Sequence, residues 1–197
     1  MTLNLAVFAS GRGSNFKAIL DAIRQGKCDA KVLVLVTDNP QAKAIEYAKE
    51  ENIEVLIFER KNYKNAVDFD NAILEKLKKY PIDLIVLAGY MRIIRSKEFL
   101  DYYKNKIINI HPSLLPKYPG AHAQEDAFRA GEKVSGLTIH IVNEVLDGGP
   151  ILFQYKVDIS DCKSAQEVAE KILKFEHICY PSVIDGIAKG KILLSKS

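Results

Sequence analysis

The chain has 197 residues, enough for one domain, and its 48% hydrophobic and 27% charged content is ordinary for a globular protein. A net charge of +3 is too small by itself to indicate nucleic-acid binding, and no apolar run approaches the roughly 18 residues of a membrane span. The three cysteines form no CxxC pair, which argues against a disulfide framework or a zinc site and favours a cytoplasmic protein.

The first half of the chain alternates strand-like apolar runs with amphipathic helices. A strand at 3–9 is followed by a helix that ends at Gly26. That helix carries apolar residues at helical spacing: Phe16, Ile19, Leu20 and Ile23. Further strands are predicted at 31–38, 53–58 and 82–89, with a helix that starts near Pro40 and another that ends at Pro81. This alternation predicts a parallel sheet covered by helices on both faces.

The second half begins with a fifth strand, "KIINI", and then changes its pattern. Two strands at 133–144 and 150–159 flank "VLDGGP" and predict an antiparallel addition. Ser164 and Glu167 form a capping box that opens a final helix through about residue 180. Without repeats or linkers, 1–197 is predicted to be a single α/β domain. Its sheet is open, doubly wound and mostly parallel, with an antiparallel C-terminal addition.

The turn "ASGRGSN" lies between the first strand and the first helix, where open parallel sheets bind ligands. Its glycines allow close approach of a ligand, and the backbone amides of Gly13, Ser14 and Asn15 can bind an anion at the helix N-terminus. Phe16 occupies the place of the last glycine in G-x-G-x-x-G, and no G-K-[ST] follows. The turn therefore favours a single phosphate over a dinucleotide or triphosphate. The alternative is a tight turn with a serine cap.

The strand "KIINI" delivers Asn109 and His111 at its carboxyl end, and Pro112 follows directly. Residues two apart on a strand point to the same face, so the two side chains project together. Pro112 restricts His111 to an extended backbone. An amide donor beside an imidazole suits the stabilisation of an oxygen that gains negative charge. The alternative is a polar pair that bonds only to the local turn.

A cationic histidine donor needs a carboxylate neighbour, because an opposite charge favours the protonated form. The candidate is Asp147 in "EVLDGGP", where two glycines permit a sharp loop. Asp-Gly is also a strong signal for a plain hairpin turn, which is the alternative. The sequence alone does not place Asp147 against His111.

Five segments in order carry a family resemblance: "GRGSN", "LAGYMRII", "NIHPSLLPKYPG", "GLTIHIVNEVLDGGPIL" and "EHICYP". Together they cover essentially the whole chain, which resembles the phosphoribosylglycinamide formyltransferases, folate-dependent enzymes of purine synthesis with a Rossmann-like fold. The resemblance implies transfer of a formyl group from 10-formyltetrahydrofolate to the amine of phosphoribosylglycinamide, without a metal. It also implies a cytoplasmic enzyme that is a monomer or a homodimer.

By this resemblance, Asn109, His111 and Asp147 match the catalytic triad of the family. His111, held protonated by Asp147, and the Asn109 amide would stabilise the tetrahedral oxyanion. The half at 1–100 would bind the nucleotide and phosphate, and the half at 101–197 would carry catalysis and folate binding.

The resemblance also assigns binding residues. The substrate phosphate would lie on Gly13, Ser14 and Asn15, and Glu176 would contact the nucleotide substrate. Lys64 would meet the folate carboxylates, although Lys61 is nearly as good. The folate pocket would be lined by Asn109, Met91, Arg92, Ile93 and Ile94.

A few residues fit the pattern less closely. Leu173 stands where some relatives have a polar residue, one turn before Glu176 on the last helix, which weakens the assignment of the nucleotide site there. His122 is interpreted as a substrate contact, whereas His140 and His177 are interpreted as structural histidines packed in the fold.

Three other functions remain open. Methionyl-tRNA formyltransferase and formyltetrahydrofolate hydrolase belong to the same group, but each normally carries an extra domain for which this chain has no room. A non-catalytic nucleotide- or folate-binding module would keep "GRGSN" but would not need Asn109, His111 and Asp147 together.

Overall fold

The computed structural model describes residues 1–195, which contain seven strands and six α-helices. In chain order these are β1 (Leu3–Phe8), α1 (Ser14–Arg24), β2 (Ala30–Thr37), α2 (Ala44–Glu50), β3 (Glu54–Ile57), α3 (Ala66–Leu77), β4 (Leu84–Leu87), α4 (Lys97–Tyr102), β5 (Ile107–His111), α5 (Ala123–Arg129), β6 (Val134–Ile141), β7 (Ile151–Asp158) and α6 (Ala165–Ala188). A short 3₁₀ helix, Arg60–Asn62, lies between β3 and α3.

The seven strands form one sheet in the order β3-β2-β1-β4-β5-β6-β7. Strands β1 to β5 pair in parallel, whereas β6 is antiparallel to β5 and β7 is antiparallel to β6. This arrangement confirms the predicted mostly parallel α/β sheet with an antiparallel C-terminal addition. The strand order reverses between β1 and β4, and open sheets of this kind bind ligands beyond the carboxyl ends of the strands at that point.

Helices cover both faces of the sheet, as the apolar strands predicted. On β1, Leu5 and Val7 pack into a core cluster with α1, α2 and α6. Ala6 and Phe8 point the other way and pack into a second cluster with α3 and α4. Because both faces are covered, consecutive residues of β1 are buried, which explains a continuous apolar run rather than an alternating one.

Four helices differ from the prediction. Helix α2 begins at Ala44, after a turn at 40–43, rather than near Pro40. Helices α4 and α5 were not predicted, because six or seven residues are too few to show a helical period. Helix α6 continues through Pro181 to Ala188. Burial of Val183 and Ile184 in the core beyond the proline offsets the lost backbone hydrogen bond.

The side chain of Tyr180 connects α6 to the sheet below the carboxyl ends of the central strands. Its side chain is fully buried, and its hydroxyl donates to the carbonyl of Leu87 at 2.7 Å. The carbonyl of Ile108 on β5 lies 3.3 Å from the same hydroxyl. The contact therefore holds α6 against β4 and β5 at one point. Within residues 1–195, no helix is both long and apolar enough to cross a membrane.

We expect Tyr180→Phe to lower the free energy of unfolding by about 1–2 kcal/mol, because it removes a buried hydrogen bond without changing the shape of the ring. Urea denaturation measures the change. Tyr102→Phe is the matched control, since Tyr102 is half-exposed on α4, and it should change stability by less than about 0.5 kcal/mol. Equal stability changes in the two variants would contradict the assigned role of the Tyr180 hydroxyl.

Candidate active site

A cleft of about 620 Å³ opens where the central strands end. It lies beside the point where the strand order reverses, which is where open sheets of this kind bind ligands. Its lining joins distant parts of the chain: Arg12 and Asn15 after β1, residues 89–94 after β4, Asn109 and His111 of β5, His140 of β6, Asp147 in the β6–β7 loop and Glu176 of α6.

His111 is buried at the end of β5 with both ring nitrogens next to an acceptor. Its Nε2 lies 2.7 Å from the carbonyl oxygen of Tyr118, and a carbonyl can only accept, so Nε2 carries a proton and donates. Its Nδ1 lies 3.6 Å from Oδ2 of Asp147. Because Nε2–H is held by Tyr118, Nδ1 is protonated only when the ring is an imidazolium. In this arrangement, the Nδ1 side of His111 can therefore donate a proton only from the charged ring.

Asp147 is folded back into the cleft rather than placed at the tip of a plain hairpin. Its φ of 51° is in the left-handed region, and its Oδ2 accepts the backbone N–H of Gly120 at 2.8 Å. A Cβ at Gly149 would lie 1.7 Å from the carbonyl oxygen of Ile141, so only glycine fits there. The loop thus positions a carboxylate that is only 8% exposed, and the structure brings it to His111 as the sequence alone did not.

Asn109 pairs across the sheet with His140. The two residues are register partners on β5 and β6, and Nδ2 of Asn109 lies 3.3 Å from Nε2 of His140. Nε2 of His140 is also 3.7 Å from Oδ1 of Asp147. His140 is buried, as predicted, but it contacts two of the three predicted catalytic residues instead of merely packing. In the sequence, Thr138 and His140 are polar residues two apart in an otherwise apolar strand, and this pattern could have indicated that His140 does more than pack.

Glu176 and Asn15 form a second polar pair in the same cleft. Nδ2 of Asn15 donates to Oε1 of Glu176 at 3.4 Å. Burial raises the pKa of Glu176 to about 7, against a smaller opposing effect of the Asn15 hydrogen bond. Oδ1 of Asn15 is buried and has no hydrogen-bond partner in residues 1–195. This end of the cleft can therefore accept hydrogen bonds from a ligand.

The three predicted phosphate-binding residues do not all line the same cavity. Asn15 lines the cleft together with Arg12, which the prediction omitted. Gly13 caps α1 with a φ of 69°, and a Cβ there would meet the Cβ of Ala44 at 2.7 Å, so the glycine allows α2 to approach. Ser14 lines a separate groove of about 500 Å³ between α1 and α6, together with His177.

The predicted folate segment forms one wall of the cleft. Met91 is 75% exposed and Ile93 is 42% exposed, whereas Ile94 is buried. The backbone N–H of Met91 donates to Oγ of Ser10 at 2.9 Å. Nε of Arg92 donates to Oδ2 of Asp38 at 2.8 Å. An anchored backbone with exposed apolar side chains suits a flat aromatic ligand.

Several predicted residues lie outside this cleft in the described part of the chain. Lys64 is exposed on the segment before α3, and Lys61 pairs with Glu59 at 3.1 Å. His122 is exposed at the start of α5, near Glu125. Leu173 lies on α6 one turn before Glu176 and does not line the cleft. Two arginines, Arg12 and Arg92, do line it.

The β6–β7 loop contributes cleft residues that the sequence did not reveal. Val142, Asn143, Val145 and Leu146 line the wall beside Asp147, and Gln124 of α5 faces the same space. Val145 and Leu146 are more than half exposed. Exposed apolar side chains before the D-G-G turn were the only signal, and such residues are also common in ordinary loops.

The fold and the cleft define a Rossmann-like α/β protein with buried imidazole, amide and carboxylate groups at the switch point of its sheet. Residues 3–184 match the family model described as formyl transferase. The chain belongs to this family, which confirms the resemblance that the five sequence segments indicated.

Named relatives are similar over nearly the whole chain. A phosphoribosylglycinamide formyltransferase of Bacillus subtilis (strain 168) is 49% identical over 179 residues, 91% of this chain and 91% of that protein. One of Haemophilus influenzae is 40% identical over 190 residues, 96% of this chain and 89% of that protein. The crystal structure of glycinamide ribonucleotide transformylase 1 from Symbiobacterium toebii matches with a TM-score of 0.94 at 37% identity, covering 98% of this chain and 91% of that one.

The raised pKa of Glu176 predicts a pH-dependent cost to folding. Its folded-state pKa of about 7 lies above the ordinary value of 4.5, so the folded protein binds this proton more tightly than the unfolded chain. Stability is therefore lost as pH rises from about 4.5 to about 7. We expect Glu176→Gln to be more stable than the parent by up to the order of 3 kcal/mol at about pH 8, and by much less at about pH 5.

Chemical denaturation of both proteins across this pH range measures the difference. Glu170→Gln is the matched control, because Glu170 is exposed on the same helix, and its effect should not change with pH. A stability difference for Glu176→Gln that is constant from about pH 5 to about pH 8 would show that burial of this carboxyl is not the cause.

Proposed function

We propose that this chain transfers the formyl group of 10-formyltetrahydrofolate to the amine of phosphoribosylglycinamide in de novo purine biosynthesis. The family and the names of relatives with matching length support the reaction. The observation that carries the proposal is the contact of Nδ1 of His111 with Asp147 at 3.6 Å, with Asn109 in the same cleft. Such a cluster suits attack on a carbonyl and has no use in a module that only binds.

In the proposed mechanism, the substrate amine attacks the formyl carbon and forms the new C–N bond. The carbonyl electron pair moves to oxygen, and Nδ1–H of His111 and an N–H of Asn109 donate to that oxyanion. Asp147 stabilises the imidazolium. The bond to the folate nitrogen then breaks as the oxyanion returns to a carbonyl, and the proton lost by the amine passes to that nitrogen through water.

In this proposal the two substrates are bound by different segments around the cleft. The folate ring lies on the segment at 91–94, and its carboxylates reach toward Lys64. The nucleotide phosphate lies on the backbone amides of Gly13, Ser14 and Asn15, where the positive end of α1 favours an anion.

Glu176 accepts a hydrogen bond from the nucleotide substrate. In this proposal the halves 1–100 and 101–197 divide nucleotide binding from catalysis only in part, because Glu176 comes from the second half and the folate residues at 64 and 91–94 come from the first. Free thiols at Cys28, Cys162 and Cys179 are in keeping with a cytoplasmic enzyme.

Deformylation of a 10-formylfolate analogue, followed with and without phosphoribosylglycinamide, tests the reaction. We expect turnover only when the amine acceptor is present, and its loss in a folded His111→Ala variant, because the main oxyanion donor is gone. Thermal melting checks that the variant is folded. Turnover without the acceptor would indicate a hydrolase, and tight folate binding without turnover would indicate a binding module. Either result would overturn the proposal.

We expect Asp147→Asn to lower kcat by roughly 10²- to 10³-fold and to change the pH dependence of kcat. The amide oxygen can still accept the N–H of Gly120, so the loop keeps its position while the charge is removed. Steady-state kinetics over a range of pH measures both effects. Asp101→Asn is the control, because Asp101 is exposed on α4. A kcat within a few-fold of the parent, with the same pH profile, would remove Asp147 from the mechanism.

A further inference from the structure

The tautomer of His140 is determined by its own strand. Nδ1 of His140 lies 3.0 Å from the carbonyl oxygen of Ile141. The carbonyl can only accept, so Nδ1 carries the proton. The ring is 2% exposed, which excludes water as a competing partner on most of its surface. In the neutral ring, Nε2 therefore presents a lone pair to whatever faces it.

Two side chains face this lone pair. Nδ2 of Asn109 lies 3.3 Å from Nε2 of His140, and Oδ1 of Asp147 lies 3.7 Å from it. The Asp147 oxygen is an acceptor, as is the lone pair, so Asn109 is the partner. If the Asn109 carboxamide were reversed, its oxygen would face the lone pair, which is unfavourable. The neutral ring thus selects one of the two amide orientations of Asn109.

We propose that His140 is a positioning residue, whose neutral imidazole accepts a hydrogen bond from Asn109 and so directs the second N–H of that amide at the reacting formyl oxygen. This inference rests on the proposed function. An amide nitrogen has two hydrogens, and His140 binds one of them, which leaves the other for the cleft that Asn109 lines. With the opposite amide orientation, the side-chain oxygen of Asn109, which can only accept hydrogen bonds, would face the oxyanion and oppose the reaction.

His140 can orient the Asn109 amide in this way only while its ring is neutral. A protonated ring would present Nε2–H to the Asn109 N–H, a donor against a donor. It would also attract Oδ1 of Asp147 and compete with His111 for that carboxylate. The charged or titratable groups that face the ring are Asp147, which favours its protonation, and His111, which opposes it. Burial is the largest effect and lowers the pKa of His140, so the ring stays neutral at neutral pH.

Nuclear magnetic resonance of the ¹⁵N-labelled wild-type protein tests the tautomer without reference to activity. Long-range ¹H–¹⁵N correlations, assigned by comparison with a His140→Gln sample, distinguish protonated from unprotonated ring nitrogens. At neutral pH we expect Nδ1 of His140 to be protonated and Nε2 to be bare. A proton on Nε2, in either a neutral or a charged ring, would overturn the proposal.

Kinetics of His140→Leu and His140→Gln test the role through Asn109. Leu removes the acceptor, and we expect kcat to fall by roughly one to two orders of magnitude while the Kd values of both substrates stay within a few-fold. The Gln side chain can supply an acceptor oxygen at similar reach, so we expect most of kcat to be restored. An equal loss in both variants, or a loss confined to the Kd values, would contradict a positioning role.

The same two substitutions are then made in an Asn109→Ala protein. If His140 acts by orienting Asn109, His140→Leu should cost little further kcat in this background, because the two residues act as a unit. Equal losses in both backgrounds would show a structural role and overturn the proposal. If wild-type protein shows no acceptor-dependent turnover, the proposed function fails, and the tautomer measurement still decides the state of His140.

Discussion

The carboxylate of Asp147 connects the other polar groups at this end of the site. It is nearly buried, and a buried carboxylate is stable only with partners. The N–H of Gly120 and the ring of His111 lie at one oxygen, and the ring of His140 lies at the other. The stretches at 111–120 and 140–147 must therefore converge, and the close approach at Gly149 folds the loop so that they do.

The sheet makes this convergence possible through its mixed topology. The parallel strands place their carboxyl ends at one edge, which brings the first glycine turn, the 89–94 segment and the end of β5 to a common cleft. The antiparallel β6 then runs back beside β5 and sets His140 opposite Asn109. Helix α6, held to β4 and β5 by the Tyr180 hydroxyl, supplies Glu176 from the other side. A fully parallel sheet would not place His140 in this register.

The features that the sequence predicted depend on local pattern, and those it missed depend on tertiary contact. Covered strands such as β1 show as apolar runs, and a period of two placed Asn109 and His111 on one face. The contact of Asp147 with His111 depends on a positive φ and a loop path that no periodicity encodes. The role of His140 depends on strand register, and the continuation of α6 past Pro181 depends on core packing. Lys64 was assigned by resemblance alone, and the described structure leaves it exposed outside the cleft.

The two buried carboxyl groups of the cleft differ in how they are partnered, and this difference matches the proposed roles of Asp147 in catalysis and of Glu176 in substrate binding. Asp147 accepts a backbone N–H at 2.8 Å and lies beside two imidazoles. Glu176 has one amide donor at 3.4 Å, so burial dominates and raises its pKa to about 7. A ligand that donates hydrogen bonds to Glu176 and to the unpartnered Oδ1 of Asn15 relieves this desolvation, and its binding therefore stabilises the fold. Asp147 has its partners without a ligand, which suits its proposed role of holding His111 in place before the substrate arrives.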